Sequence, residues 1–315
     1  MTDREAGRPA GGLGVKVLGT SEVGGSYRVG VAVPDARYHL HVPGVTGTGK
    51  TTLISNMILG DAAAGRGAVG IDPRGDMVTD LLERLPASVA GRLVVVDPAE
   101  TTAPAGLNAL EGEDTELAAD QVVTVLRRVF AAWWGPRMDD ILRCACLTLT
   151  HAHEATLADI PRLLTDQAAR APLVVAARAD ASLRSFWDWY EGLSEVGQAN
   201  AAGPVLSKLR AVLSRRFVAD LLGCSRSTFD MGRILDGGLL LARLPKGVLG
   251  EETARLVGSL IVARVWQATL ARARIPEPER RDAGLYVDEA QNFLHLPGAL
   301  EDILAEAAVT GCRWC

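Results

Sequence analysis

Long apolar runs are missing from this 315-residue sequence. No uncharged stretch nears the ~18 residues needed to span a bilayer. The most apolar segment, residues 253–271, is broken by Arg255 and Arg264. Membrane insertion by this chain is therefore not expected. Residues 1–14 carry Asp3, Arg4, Glu5 and Arg8 with no apolar stretch behind them, which excludes a secretory signal. The expected location is the cytoplasm. Cysteines are few and odd in number, five in all, so a disulfide framework is excluded too. Cys144 and Cys146 fall in an apolar helical stretch and read as buried free thiols. Cys312 and Cys315 form a C-x-x-C with no second pair to complete a zinc site. Excess positive charge is also absent. The net charge is −5, so the chain as a whole is no polyanion binder and any nucleic-acid contact has to be local. Lysine is scarce: Lys16, Lys50, Lys208 and Lys246 stand among 33 basic residues.

What is present is the composition of a folded protein, 48% hydrophobic and 23% charged. Short apolar runs recur at 39–42, 68–72, 93–97, 239–244 and 285–288, each closed by glycine, proline or acidic residues. Such non-alternating runs fit strands buried on both faces of a parallel sheet. Residues 15–33 read as a hairpin about Gly24-Gly25. Between the third and fourth runs the period becomes helical, as at Leu117, Val122, Val125, Leu126 and Val129. Helices are also expected over 139–150, 157–164, 182–193, 204–213 and 251–274, with Thr156 and Asp159 as a capping box. The expected fold class is α/β, with a mainly parallel central sheet and an all-helical insertion. The expected division is a lead-in over 1–37, a first core part over 38–111, the insertion over 112–230 and a second core part over 231–315.

Gly44-Val-Thr-Gly-Thr-Gly49-Lys50-Thr51 matches G-x-x-x-x-G-K-[ST]. Glycines at 44, 47 and 49 let the backbone turn its N–H groups onto phosphate oxygens, and the helix that follows, expected over 52–59 and ending at Gly60, adds its positive end. Lys50 would bridge the β- and γ-phosphates, and the Thr51 hydroxyl would address Mg²⁺. Thr46, Thr48 and Thr52 complete the expected nucleotide contacts. The expected cofactors are ATP and Mg²⁺.

A phosphate loop of this kind needs a carboxylate at a neighbouring strand end. Leu285-Tyr-Val-Asp-Glu289 supplies two. Asp288 is expected to hold the metal and Glu289 to polarise the attacking water. Neighbouring strand residues face opposite ways, so both can serve only if Glu289 lies in the turn. A base-reading N-K-x-D is missing, which argues against a GTPase. The two motifs alone leave open an ATPase, a nucleotide-binding protein that hydrolyses poorly, and a small-molecule kinase.

The ordered set of segments resembles the conjugative DNA-transfer coupling ATPases of type IV secretion and their relatives in the HerA/FtsK group of DNA pumps. The segments are His39-Leu-His-Val-Pro-Gly44 with the loop, Ile71-Asp-Pro-Arg-Gly-Asp76, Val96-Asp-Pro98 with Gly106-Leu-Asn108, Trp134-Gly-Pro-Arg137 with Asp140-Ile-Leu142, and Val287-Asp-Glu-Ala-Gln-Asn-Phe293. The resemblance implies a RecA-like P-loop NTPase, a homo-hexameric ring and ATP-driven movement of DNA. It also implies secretion-channel or relaxase partners, and a place at the inner face of the membrane held through them. The family pattern continues with Leu-x-Glu-Ala-Arg, whose arginine is a candidate finger for a neighbouring subunit. Here Leu304-Ala-Glu-Ala307 is followed by Ala308. The sheet is accordingly expected to be cut off before its last strands, with Cys312-Arg-Trp-Cys315 unlike the family's strand. The alternative function is a hydrolysis-deficient regulatory protein or a truncated gene product.

Lys208, Arg210, Arg215 and Arg216 form the candidate DNA-contacting cluster. Phe186, Trp189 and Tyr190 are expected to share one buried helix face rather than to stack bases. His151 and His153 read as exposed. Asp72 and Asp97, at strand ends, are candidates to support the nucleotide site.

Overall fold

The computed structural model describes residues 14–152, 154–293 and, for the backbone alone, 312–314. An antiparallel hairpin, β1 (Val15–Ser21) with β2 (Tyr27–Ala32), leads in. The core sheet is built from β3 (Gly67–Asp72), β4 (Leu93–Val96), β5 (Leu239–Arg243), β6 (Ala283–Val287) and β7 (Cys312–Trp314). Its order is β4-β5-β3-β6-β7, and every pairing is parallel. Helices α1 (Lys50–Ala63) and α2 (Asp76–Arg84) follow the phosphate loop and β3. Eight helices lie between β4 and β5 among the described residues. They are α3 (Thr115–Val129), α4 (Pro136–Thr150), α5 (Ile160–Thr165), α6 (Gln167–Ala177), α7 (Ala181–Glu191), α8 (Glu195–Leu213), α9 (Arg216–Leu222) and α10 (Met231–Leu235). The short α11 (Lys246–Leu249) and the long α12 (Glu251–Ala271) connect β5 to β6.

Strands β3 and β6 carry no polar face because both faces are covered. All six residues of β3 are buried, as are all five of β6. Side chains alternate across the sheet. Ala68, Leu239, Leu241 and Tyr286 pack with Ile54, Met57 and Ile58 of α1 and Met77, Val78 and Leu81 of α2. Val69, Ile71, Leu240, Ala242, Leu285 and Val287 pack instead with α12 and the helices after β4. Gly70 permits the close approach of α1: a Cβ there would meet Ile58 Cδ1 at 3.2 Å and Leu241 Cδ2 at 3.1 Å. That approach fixes the helix that carries Lys50 and Thr51.

A buried charge cluster ties the hairpin to this layer. Lys16 Nζ meets Asp61 Oδ2 at 2.5 Å, Arg66 Nε meets Asp61 Oδ1 at 2.7 Å, and Tyr286 OH donates to Asp61 Oδ2 at 2.5 Å. Asp61 and Tyr286 are fully enclosed.

Several expectations are corrected. Residues 39–42 do not form a strand: His39 takes φ +66°, Pro43 lacks an N–H, and no described strand pairs with the segment. Helix α1 does not stop at Gly60 but runs to Ala63, because no steric conflict or left-handed residue interrupts it there. Cys312–Trp314, expected to be unlike the family's strand, pairs parallel with Ala283–Leu285 and adds a fifth strand. The buried face of α7 is Leu183, Phe186, Trp187 and Tyr190, while Trp189 is 42% exposed. Trp187 wins the inward position because its Nε1 donates to Thr148 Oγ1 at 2.9 Å, which satisfies the buried indole. The Thr156 and Asp159 capping box is formed. No described helix is long and apolar enough to cross a membrane.

Candidate phosphate-loop and acid site

The loop over 44–49 is exposed and precedes α1 directly. Gly47 and Gly49 have φ of +87° and +86°, values that a side chain would strain. A Cβ on Gly44 would meet Thr48 Oγ1 at 2.8 Å. A side chain at 44 would therefore crowd the loop, and side chains at 47 and 49 would strain its backbone. Lys50 opens α1 and turns back over the loop, donating to the carbonyls of Gly44 at 2.7 Å and Val45 at 3.0 Å. Thr48 Oγ1 donates to Val45 O at 2.8 Å. Thr46 and Thr52 are exposed.

Strand β6 delivers the acids to the same place. The amide of Asp288 continues the ladder by donating to Ile71 O at 3.1 Å. Its carboxylate, on a residue 5% exposed, accepts from Thr51 Oγ1 at 3.3 Å. Two residues 237 apart in sequence thus meet across the loop. Burial pushes the Asp288 carboxyl above its ordinary pKa, and the negative charge of Asp72 adds to the rise. Asp72 is itself buried at the end of β3, where its oxygens accept from the amides of Arg74 at 2.8 Å and Val78 at 3.1 Å. It supports the β3–α2 turn. Asp97 instead pairs with Arg243 at 3.2 Å.

Glu289 does lie in the turn, with φ +50° and ψ +50° immediately after the last ladder contact. Its amide donates to Asp288 Oδ1 at 3.0 Å, and its carbonyl accepts from Asn292 Nδ2 at 2.8 Å. Its carboxylate meets Arg74 Nη2 at 2.5 Å and Gln291 Nε2 at 2.7 Å. The Gln291 hydrogen bond, then the cations Arg74 and Lys50, hold the Glu289 carboxyl below its usual range. Arg74, Gln291 and the Lys246 Nζ to Asn292 Oδ1 contact at 2.5 Å were not singled out by sequence reasoning. Arg74 had one readable signal: it follows the Asp72 strand end on the edge that carries the acids.

The donor set fits a nucleotide and a hard cation. The cradle offers backbone N–H groups and an ammonium to phosphate, while Thr51 and Asp288 offer oxygen donors of the kind Mg²⁺ takes. The other candidates lie elsewhere. Arg210, Arg215 and Arg216 are exposed, whereas Lys208 sets its ammonium over the rings of Phe130 and Trp133 at 5.6 and 5.4 Å. Trp133 is 74% exposed. His151 is exposed, His153 lies outside the described residues, and no metal-binding cluster of His, Cys, Asp or Glu occurs among those described. Residues 304–308 and Cys315 also lie outside them. A separate cleft of about 1010 Å³, between residues 111–117, 227–236 and 264–275, shares no residue with the phosphate loop.

A parallel α/β core with this loop and acid pair is the fold of P-loop NTPases, and solved structures agree. The chain is similar to the bacterial conjugative coupling protein TrwBdeltaN70 in its unbound form, with TM-score 0.63 and 18% identity over 96% of this chain and 64% of that one. It is similar to the plasmid coupling protein TrwB in complex with ADP and Mg²⁺, with TM-score 0.59 and 18% identity over 95% of this chain and 66% of that one. It is also similar to VirB4 of Thermoanaerobacter pseudethanolicus, with TM-score 0.53 and 14% identity over 95% and 75%. The chain thus has the fold of the coupling proteins and spans about two thirds of their length. No protein-family description and no curated sequence matches it.

Proposed function

We propose that the chain is an ATP-binding and ATP-hydrolysing motor domain of the conjugative coupling type, acting on DNA as a homo-hexameric ring. In this reading residues 38–111 and 231–315 are the motor core and 112–230 the helical insertion. The observation that carries the proposal is the Thr51–Asp288 contact at 3.3 Å, which joins the loop helix to the acid strand beside Glu289. When bound, ATP with Mg²⁺ supplies the phosphoanhydride and the charge neutralisation that hydrolysis needs. Gly44, Gly47 and Gly49 shape the cradle, with Thr46, Thr48 and Thr52 at its rim. Lys50 provides the ammonium once its loop carbonyls release it. Thr51 and Asp288 would hold the cation, and Glu289 would orient the attacking water and take up its proton. The TrwB structures with ADP and Mg²⁺ and with a non-hydrolysable ATP analogue support the nucleotide class. Arg210, Arg215 and Arg216, with Lys208, are the proposed phosphate contacts to DNA. Secretion-channel or relaxase partners would hold the ring at the inner face of the membrane.

DNA-stimulated ATP hydrolysis tests the reading. It is expected in the native protein and lost in Lys50→Ala and Glu289→Gln, with nucleotide still bound by the second variant. No turnover by an assembled ring at any DNA concentration refutes it. Nucleotide binding without turnover supports instead a regulatory, hydrolysis-poor protein, a reading favoured by the engagement of both Glu289 carboxylate oxygens.

A further inference from the structure

Arg74 has no part in the hydrolysis described above, yet its guanidinium lies against the group that must act on water. Its Nη2 meets Glu289 Oε1 at 2.5 Å, while Gln291 Nε2 meets Oε2 at 2.7 Å. Both carboxylate oxygens are engaged by side chains from two different loops. The two members of the ion pair differ in freedom. Glu289 is fixed by its left-handed backbone, by its amide bond to Asp288 and by Asn292 on its carbonyl. Arg74 is anchored at its backbone by Asp72 Oδ1 at 2.8 Å, but its side chain is 54% exposed. Among the described residues Glu289 is its one side-chain partner. The guanidinium is therefore the member that can leave.

It can leave toward the loop. Lys50 directly precedes Thr51, whose hydroxyl donates to Asp288 Oδ2 at 3.3 Å, and Glu289 directly follows Asp288, so the Arg74–Glu289 pair lies at the start of the loop helix. A phosphate oxygen beside Lys50 would compete with Glu289 for Arg74, and a guanidinium fork suits phosphate as well as carboxylate.

We propose that Arg74 is a positioning residue that reads the terminal phosphate of the nucleotide: it holds Glu289 while that phosphate is absent and moves to it when a triphosphate binds, leaving Glu289 free to orient water. The proposal rests on the reading of the loop as an ATP site and names how that site is gated.

Calorimetric affinities for ADP and for a non-hydrolysable ATP analogue, each with Mg²⁺, give the test without needing turnover. Glu289→Gln removes the charged competitor for Arg74 and is expected to raise the preference for the triphosphate by about fivefold, the size of one exposed ion pair. Arg74→Met is expected to lower that preference, and adding Glu289→Gln to it should then give no rise. Arg74→Lys should restore part of the coupling. A rise from Glu289→Gln that is equal in the native and Arg74→Met backgrounds overturns the assignment. Thermal midpoints of the nucleotide-free variants identify any that fail to fold, and for those Arg74→Lys paired with Glu289→Gln gives the same comparison. If folded native protein binds neither nucleotide, the ATP reading itself falls and the Arg74 assignment with it. Binding of both without coupling removes only Arg74.

Discussion

Alanine at Gly258 and alanine at Gly60 should move stability in opposite directions, although both positions are helical. Gly60 lies on the exposed side of α1 with nothing within 4 Å of the place a Cβ would take. Replacing glycine there gains helix propensity, up to ~1 kcal/mol. Gly258 lies in α12 against Phe293, and a Cβ would sit 2.3 Å from Cδ1 and 2.4 Å from Cε1 of a fully buried ring. The same propensity gain applies, but overpacking a filled core costs ~1–3 kcal/mol. Less the full propensity gain, the net expectation for Gly258→Ala is about 0–2 kcal/mol of destabilisation, a fall of up to roughly 3 °C in Tm for a chain of this length. The effect should reach the site, because Phe293 ends the segment that begins at Glu289 and Ser259 Oγ donates to its carbonyl at 3.4 Å. DNA-stimulated hydrolysis should therefore fall in Gly258→Ala even though position 258 touches no proposed nucleotide contact. Adding Phe293→Leu should return part of both losses, which a double-mutant cycle reads as coupling above ~0.5 kcal/mol. Scanning calorimetry and a hydrolysis assay on the four proteins decide the matter. A Gly258→Ala variant that gains as much stability as Gly60→Ala refutes the packing argument.

Two further outcomes follow from buried polar groups. Asp61→Ala removes the carboxylate that Lys16, Arg66 and Tyr286 all address and should cost ~3–5 kcal/mol, whereas Asp80→Ala, which breaks the exposed Arg84–Asp80 pair, should stay within ~0.5 kcal/mol; chemical denaturation compares the two. Burial pushes the Cys144 and Cys146 thiols up to about 12, Asp140 adding to the first, so peptide mapping after brief alkylation at neutral pH should find both unmodified until the chain is denatured. The linked stability has a definite sign: it is intact below the ordinary thiol value of 9.0 and declines as pH rises from there toward about 12, because the unfolded chain ionises first.

The sheet was readable where burial on both faces left a mark in the residues. The runs at 68–72, 93–97, 239–244 and 285–288 are apolar up to the charged residues near their C-terminal ends because helices cover the sheet, α1 and α2 on one face and α12 on the other. Residues 39–42 have the same composition, yet composition does not report a positive φ at His39 or the want of a pairing strand. Helix α7 fails in a related way. Periodicity admits both Trp187 and Trp189 near the inward arc, and only the partner Thr148, 39 residues earlier, decides between them. Nothing within the hairpin marks Lys16 as buried, because its countercharge Asp61 lies 45 residues on.

The site divides along the same line. Loop and acids were legible because each motif is made of particular residue types at short spacing. Their mutual arrangement was not, because it depends on contacts between residues far apart in sequence. Consecutive residues of a strand point to opposite faces, so Asp288 and Glu289 could not both serve the loop if β6 continued. The fold resolves this within one residue. Asp288 keeps the last ladder bond, to Ile71 O at 3.1 Å, and faces Thr51; Glu289 then turns left-handed, toward Arg74 and Gln291. A non-glycine residue in that conformation costs ~1–2 kcal/mol. The cost is offset only because the turn is held on three sides, by Asp288 at the amide, Asn292 at the carbonyl and Arg74 at the carboxylate. Of these holds the first two are local in sequence. The third comes from the end of β3 and, under the gating proposed for Arg74, is the one for which a phosphate on the loop would compete.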